Sequence, residues 1–294
     1  AYEIPKRDWS SDVCSSDLAL LAPLDDGWVV QGPRVAAFEE KFSAFSGARY
    51  SIATTSCTTA LHLAVVALGL KPGDEVIVPA LTWVATANVV EHAGATPVFC
   101  DVHLDTFNID LSHAESLVTR RTVGIMPVHL FGLCADMAAV ESLASRHSLW
   151  VVEDAACGFG ARINGRHAGT FGELGCFSFH PRKALTTGEG GMVTTAVREL
   201  ADRLRRLRDH GASATDLARH QGRHGFLLAD YSEPGYNYRM TDLQGALGSA
   251  QMDRAMAILA GRRRQAARYA SHLGTHPWLD RKSTRLNSSH VSES

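Results

Sequence analysis

The chain has 294 residues, with 29 Lys+Arg against 31 Asp+Glu and a formal net charge of -2. That balance provides no excess positive field for tracking the phosphates of a nucleic acid, and at 45% hydrophobic and 20% charged residues the chain can bury a sizeable core rather than stay disordered. Its apolar stretches, such as residues 60–70, are broken by His, Gly or Pro well before the roughly 18 residues of a membrane helix, and no nucleic-acid or membrane partner is expected.

From the N-terminus, AYEIPKRDWSSDVC lacks the apolar core of a secretory signal, which makes the cytoplasm the expected location. Residues 1–18 are Ser-rich and adapter-like, as is the tail from 281 to 294, and neither is expected to carry function. Between them, strand-like runs are predicted at 51–54, 75–79, 97–102, 123–130, 150–154, 175–179 and 190–195, most of them separated by helical patterns. Runs such as EVIVPA, TPVFCDV and LWVVED are nearly all apolar, as parallel strands covered on both faces should be. An α/β fold with a doubly covered, mostly parallel sheet follows. The Arg-rich RELADRLRRLRDH reads as a helix with a solvated basic face, ended by Gly211. Thr241 and Gln244 form a capping-box pattern that opens a long helix leading out of the main domain. Six cysteines without CxxC spacing predict reduced thiols, with neither zinc nor a disulfide framework.

In such sheets ligands collect beyond the carboxyl ends of the strands, so those positions carry the functional reading. YSIATTSCTTALHLAVVALG runs strand, hydroxyl-rich turn, helix, and the free N–H groups of a helix start form an anion site. Cys57 and Thr58 stand there, although Ser56 or Thr58 could equally serve only as the helix cap. Trp83 follows EVIVPA at a strand end, where an indole can stack on a flat ligand or instead pack in the core or at an interface. Asp154 closes LWVVED, where a carboxylate needs a cation such as a protonated pyridine nitrogen, unless it caps a following helix. Lys183, in CFSFHPRKALTTGEGG, lies past a strand and before a Gly-rich turn, with Ser178 offering a hydroxyl beside it; a partly desolvated lysine can form a Schiff base. A phosphate cradle, a stacking aromatic, an acid for a ring nitrogen and an amine for an aldehyde are together the requirements of pyridoxal 5'-phosphate.

Across residues 27–280 the sequence resembles the DegT/StrS-type nucleotide-sugar aminotransferases, within the fold type I pyridoxal-phosphate enzymes, through GWVVQGPRV, VPALTWVATAN, VVEDAACGFGA, CFSFHPRKALTTGEGGMVTT and GYNYRMTDLQGALG. The resemblance implies a three-layer α/β/α large domain over 19–245 and a helix over 246–280 that leads to a small C-terminal domain. It further implies that Lys183 joins the cofactor aldehyde and then shuttles a proton, that Asp154 keeps the pyridine nitrogen protonated, and that Trp83 stacks on the ring. Cys57, Thr58 and Ser178 would hold the phosphate. Cys157 stands where many relatives carry Gln or His near the phenolic oxygen, and Asn237 corresponds to a residue that reaches a partner subunit's phosphate in a homodimer. The implied reaction passes an amino group from L-glutamate to a nucleotide-linked keto sugar. Relatives that act as dehydratases have His in place of the lysine, so Lys183 points to the aminotransferase branch.

Three other readings compete. A nicotinamide-dependent dehydrogenase lacks its motif, because no strand is followed by GxGxxG. His220 and His224 stand four apart, yet Gly222 lies between them and no acidic motif completes a metal site. A noncatalytic regulator of the same fold would not need Lys183, Asp154 and Ser178 together.

Overall fold

The computed structural model describes residues 13–213 and 230–273. A seven-stranded sheet forms the middle layer, built from β1 (Tyr50–Thr54), β2 (Glu75–Pro79), β3 (Thr96–Cys100), β4 (Thr122–Ile125), β5 (Trp150–Asp154), β8 (Leu174–Ser178) and β9 (Gly191–Thr195). Its spatial order is β1-β9-β8-β5-β4-β2-β3. Neighbours from β8 to β3 pair in parallel, while β9 runs antiparallel to both β8 and β1. A two-stranded ribbon, β6 (Arg162–Ile163) and β7 (Arg166–His167), stands apart.

Strand side chains alternate between faces, and that alternation divides the core in two. Val76, Val78, Val152, Cys176 and Val193 pack with Leu61, Leu63 and Val65 of α3 (Cys57–Ala67), Val89 and Val90 of α4 (Ala85–His92), and Leu204 of α7 (Arg198–Arg208). Their neighbours in sequence take the opposite face. Ile77, Ile125 and Val151 meet α6 (Met137–His147) beside the short α5 (Leu111–Ser116). Phe177 and Met192 meet Phe38 and Phe42 of α2 (Pro33–Ser46) together with Met252 of α8 (Asp242–Met252) and Leu259 of α9 (Ala255–Leu273). The expected three-layer α/β/α architecture is therefore present. The remaining helix, α1 (Val13–Asp25), runs into the segment read as adapter-like.

Several local expectations need correction. The run at 123–130 stays a ladder strand only to Ile125, after which Leu130–Gly132 form a 3-10 turn with Phe131 at positive φ. The strand expected at 97–102 ends at Cys100. In α7 the basic face is not simply solvated: Arg208 is 3% exposed, donates to Glu39 and the Ala53 carbonyl, and so ties α7 to α2 and β1. Gly211 does adopt the left-handed conformation, just past a helix that stops at Arg208. The capping box is formed by Thr241 and Gln244, but the long helix breaks after Met252. Its first half belongs to the main body, because Gly248 lies so close to the Phe38 ring that a Cβ there would come within 2.7 Å of it.

No described helix is long and apolar enough to cross a membrane. Among the described residues no group of three or more His, Cys, Asp or Glu is arranged to hold a metal ion, and His220 and His224 lie outside those residues.

Candidate active site

At the start of α3, Ser56 is the cap: its Oγ accepts from Thr59 N–H at 3.1 Å, and Thr59 Oγ1 accepts from Ser56 N–H at 3.0 Å. Thr58 is thus not the cap. Cys57 and Thr58 hold the first two helical positions, whose N–H groups have no acceptor within an α-helix. This helix start is pressed against the sheet at Gly191, where a Cβ would lie 2.3 Å from the Ser56 carbonyl oxygen. Gly191 pairs with Ser178 across the β8–β9 ladder, so Ser178 is the strand neighbour of the residue against that turn, and its hydroxyl accepts from the His180 N–H at 3.4 Å.

Asp154 ends β5 and is 4% exposed. Its carboxylate accepts from Thr86 Oγ1 at 2.7 Å and from the Ala156 N–H at 3.1 Å, and the chain turns there instead of entering a helix. Thr86, in the first turn of α4, also contacts the Trp83 carbonyl at 3.1 Å, so the Trp83 turn is tied to Asp154. The indole itself is 75% exposed, which excludes the core-packing role.

Lys183 sits in the turn after β8, its N–H donating to the His180 carbonyl at 2.8 Å and its own carbonyl accepting from the Arg262 guanidinium of α9. Its Nζ donates to Cys157 Sγ at 3.1 Å. Burial pushes the Cys57 thiol well above the usual range, helped by Asp154, Cys176 and Cys157 and opposed by Lys183. Those causes place Cys57, Asp154, Cys157 and Lys183 within one electrostatic neighbourhood. A cavity of about 620 Å³ opens beside it, walled by Cys157, Lys183, Phe131, Phe159, Arg262 and Tyr269 among others. Trp83, Cys57, Thr58 and Asp154 do not line that cavity.

Asn237 is exposed and bridges Asp209 in antiparallel fashion. The next residue, Tyr238, accepts from the Thr55 N–H at 3.1 Å, which brings this segment beside the β1–α3 turn of its own chain. Sequence reasoning missed Thr86, Cys176 and Arg262. Only their positions after folding mark them, since a threonine in a first helical turn, a cysteine within an apolar strand and an arginine on an exposed helix are ordinary.

Residues 15–292 match the DegT/DnrJ/EryC1/StrS aminotransferase family, and the chain belongs to that family. It is 44% identical over 255 residues to the GDP-perosamine synthase of Caulobacter vibrioides, covering 86% of this chain and 66% of that one. With the UDP-N-acetyl-3-dehydro-alpha-D-glucosamine 3-aminotransferase of Acidithiobacillus ferrooxidans it shares 43% over 251 residues, 85% of this chain and 64% of the relative. The chain spans about two thirds of the length of these curated relatives. Among solved structures, DesV of S. venezuelae in complex with a ketimine intermediate superposes with a TM-score of 0.82 at 38% identity, over 92% of this chain and 69% of DesV.

Proposed function

We propose that the protein is a pyridoxal-phosphate-dependent aminotransferase that moves an amino group from L-glutamate to a nucleotide-linked keto-deoxysugar, acting as a cytoplasmic homodimer. What supports this reading is that the buried Asp154 carboxylate at the end of β5 and the Lys183 amine in the turn after β8 both act electrostatically on Cys57 at the start of α3. The residues fit the cofactor on their own chemistry: the Asp154 carboxylate is almost fully buried with one hydroxyl and one N–H as its donors, and a buried carboxylate calls for a cation. The names of the two relatives, one a GDP-sugar synthase and one a UDP-sugar 3-aminotransferase, support a nucleotide-linked substrate and leave the base and keto position open.

When bound, pyridoxal phosphate supplies an aldehyde and an electron-withdrawing ring. Asp154 holds the proton on the ring nitrogen, and the Thr86 hydroxyl fixes its Oδ2. Cys57 and Thr58 bind phosphate through their N–H groups at the positive end of α3, and the Ser178 hydroxyl would add a further contact. Trp83, whose indole is exposed, would be the residue to stack on the ring. Cys157 holds Lys183 Nζ by a hydrogen bond, and that amine would be the group to meet the cofactor aldehyde and to carry a proton at Nζ. Asn237 serves the partner subunit's phosphate.

Protein reconstituted with pyridoxal phosphate should show a visible absorbance band that borohydride bleaches, and Lys183→Ala should lack it and lose at least about 10²-fold in turnover. A panel of nucleotide-linked keto sugars with glutamate then identifies the acceptor, and sizing chromatography checks the dimer. A colourless, unreactive protein after reconstitution would overturn the reading.

A further inference from the structure

Of the three thiols Cys57, Cys157 and Cys176, only Cys157 is in hydrogen-bond contact with Lys183, and the three are not equivalent. Cys176 is fully buried in β8, and Cys57 packs between α3 and the sheet; burial, reinforced by Asp154, pushes both thiols well above the usual range and makes them poor nucleophiles. Cys157 is half-buried on the wall of the 620 Å³ cavity, with Lys183 Nζ 3.1 Å from its sulfur. A small oxidant entering that cavity meets the sulfur and the amine together, already in hydrogen-bond contact.

We propose that Cys157 and Lys183 are a modification site, at which a peroxide drives formation of a reversible sulfur–nitrogen cross-link between the two side chains. Hydrogen peroxide removes two electrons from the Cys157 thiol, giving the sulfenic acid and one water. The neutral Lys183 amine then attacks that sulfur. The S–N bond forms, the S–O bond breaks, and the departing hydroxide takes the proton released from nitrogen as a second water. Two equivalents of a small thiol reverse the link: the first attacks sulfur and frees the amine, and the second frees Cys157 as the thiols leave as their disulfide. The consequence rests on the function proposed above, because the linked nitrogen is the one that would take the cofactor aldehyde. Oxidation and cofactor loading then exclude each other at a single atom.

The test is peptide mass spectrometry of the cofactor-free full chain after excess hydrogen peroxide. A Cys157 peptide and a Lys183 peptide joined with loss of two hydrogens are expected. The link should be reversed by dithiothreitol, present in Cys57→Ser and absent in Cys157→Ser. Cys157 recovered only as sulfinic acid, or as a disulfide with Cys57, overturns the proposal in the wild-type chain itself. Loading with pyridoxal phosphate and reduction with borohydride before peroxide should lower the yield of link at least tenfold. An undiminished link after that treatment leaves the modification standing and removes Lys183 as the cofactor amine. Borohydride labelling of Lys183 with no link under peroxide does the reverse.

Discussion

His167 is 1% exposed, its Nε2 accepting the Gly160 N–H at 2.9 Å while Nδ1 faces the Ala168 carbonyl. Both ring nitrogens are thus committed in the neutral tautomer, and burial pulls the pKa from its ordinary 6.5 down to about 4. Between those values the unfolded chain binds a proton that the folded ring refuses. The stabilisation is complete above pH 6.5 and is lost as pH falls through about 4, for a total of about 3 kcal/mol. His167→Gln should flatten the stability profile between pH 7 and 4 in denaturant titrations, and parallel profiles for the two proteins would contradict this. Such a residue is invisible in sequence, where RHAG reads as an ordinary loop. The candidate residues Asp154 and Lys183 drew notice in the sequence for the opposite reason: Asp154 closes one apolar strand and Lys183 lies in the turn after another, and strand ends are where an α/β sheet presents its chemistry.

Adjacent residues of β5 serve different purposes because a strand sends them to opposite faces. Asp154 turns toward α4, while the fully buried Glu153 accepts from His129 Nε2 at 2.8 Å and from the N–H groups of Gly169, Phe171 and Gly172. The first residue belongs to the candidate site, and the second fastens the loop between β7 and β8. The start of α3 depends on β9 in a similarly local way. At Gly191 any side chain would strike the Ser56 carbonyl and the Cys57 nitrogen, both backbone atoms without freedom to rotate aside. Gly191→Ala should destabilise the fold by about 1–3 kcal/mol and weaken retention of pyridoxal phosphate, measured by urea unfolding and by dialysis of the loaded protein. Unchanged retention would separate the α3 start from phosphate binding. The motif GEGGM signalled a tight turn in the sequence, but the element that needed its space was over 130 positions earlier.

Long-range closure of the molecule is concentrated at Asp242. This side chain, fully buried at the start of α8, accepts from the N–H groups of Gly32 at 2.8 Å, Arg34 at 3.0 Å and Val35 at 3.0 Å. It thus supplies the cap that α2 lacks in its own sequence, where Gly32 has no side chain and Pro33 opens the helix. Asp242→Ala strands those buried donors and should cost about 2 kcal/mol or more, read as a lowered unfolding midpoint. A shift within error would mean that α2 and α8 are joined by apolar packing alone.

Strand and helix periodicity by itself determined the layered α/β architecture of this chain, because a sheet covered on both faces demands continuous apolar strands and amphipathic helices between them. The same strand ends marked Lys183, Asp154 and the α3 turn. Only the tertiary structure decided which side chains face them. Thr86 meets Asp154 across 68 positions, Cys157 meets Lys183 across 26, and Arg208 leaves its expected solvated face for Glu39 across 169. Periodicity is a property of neighbouring residues, whereas a hydrogen bond between distant elements depends on strand order and register, which local pattern does not encode.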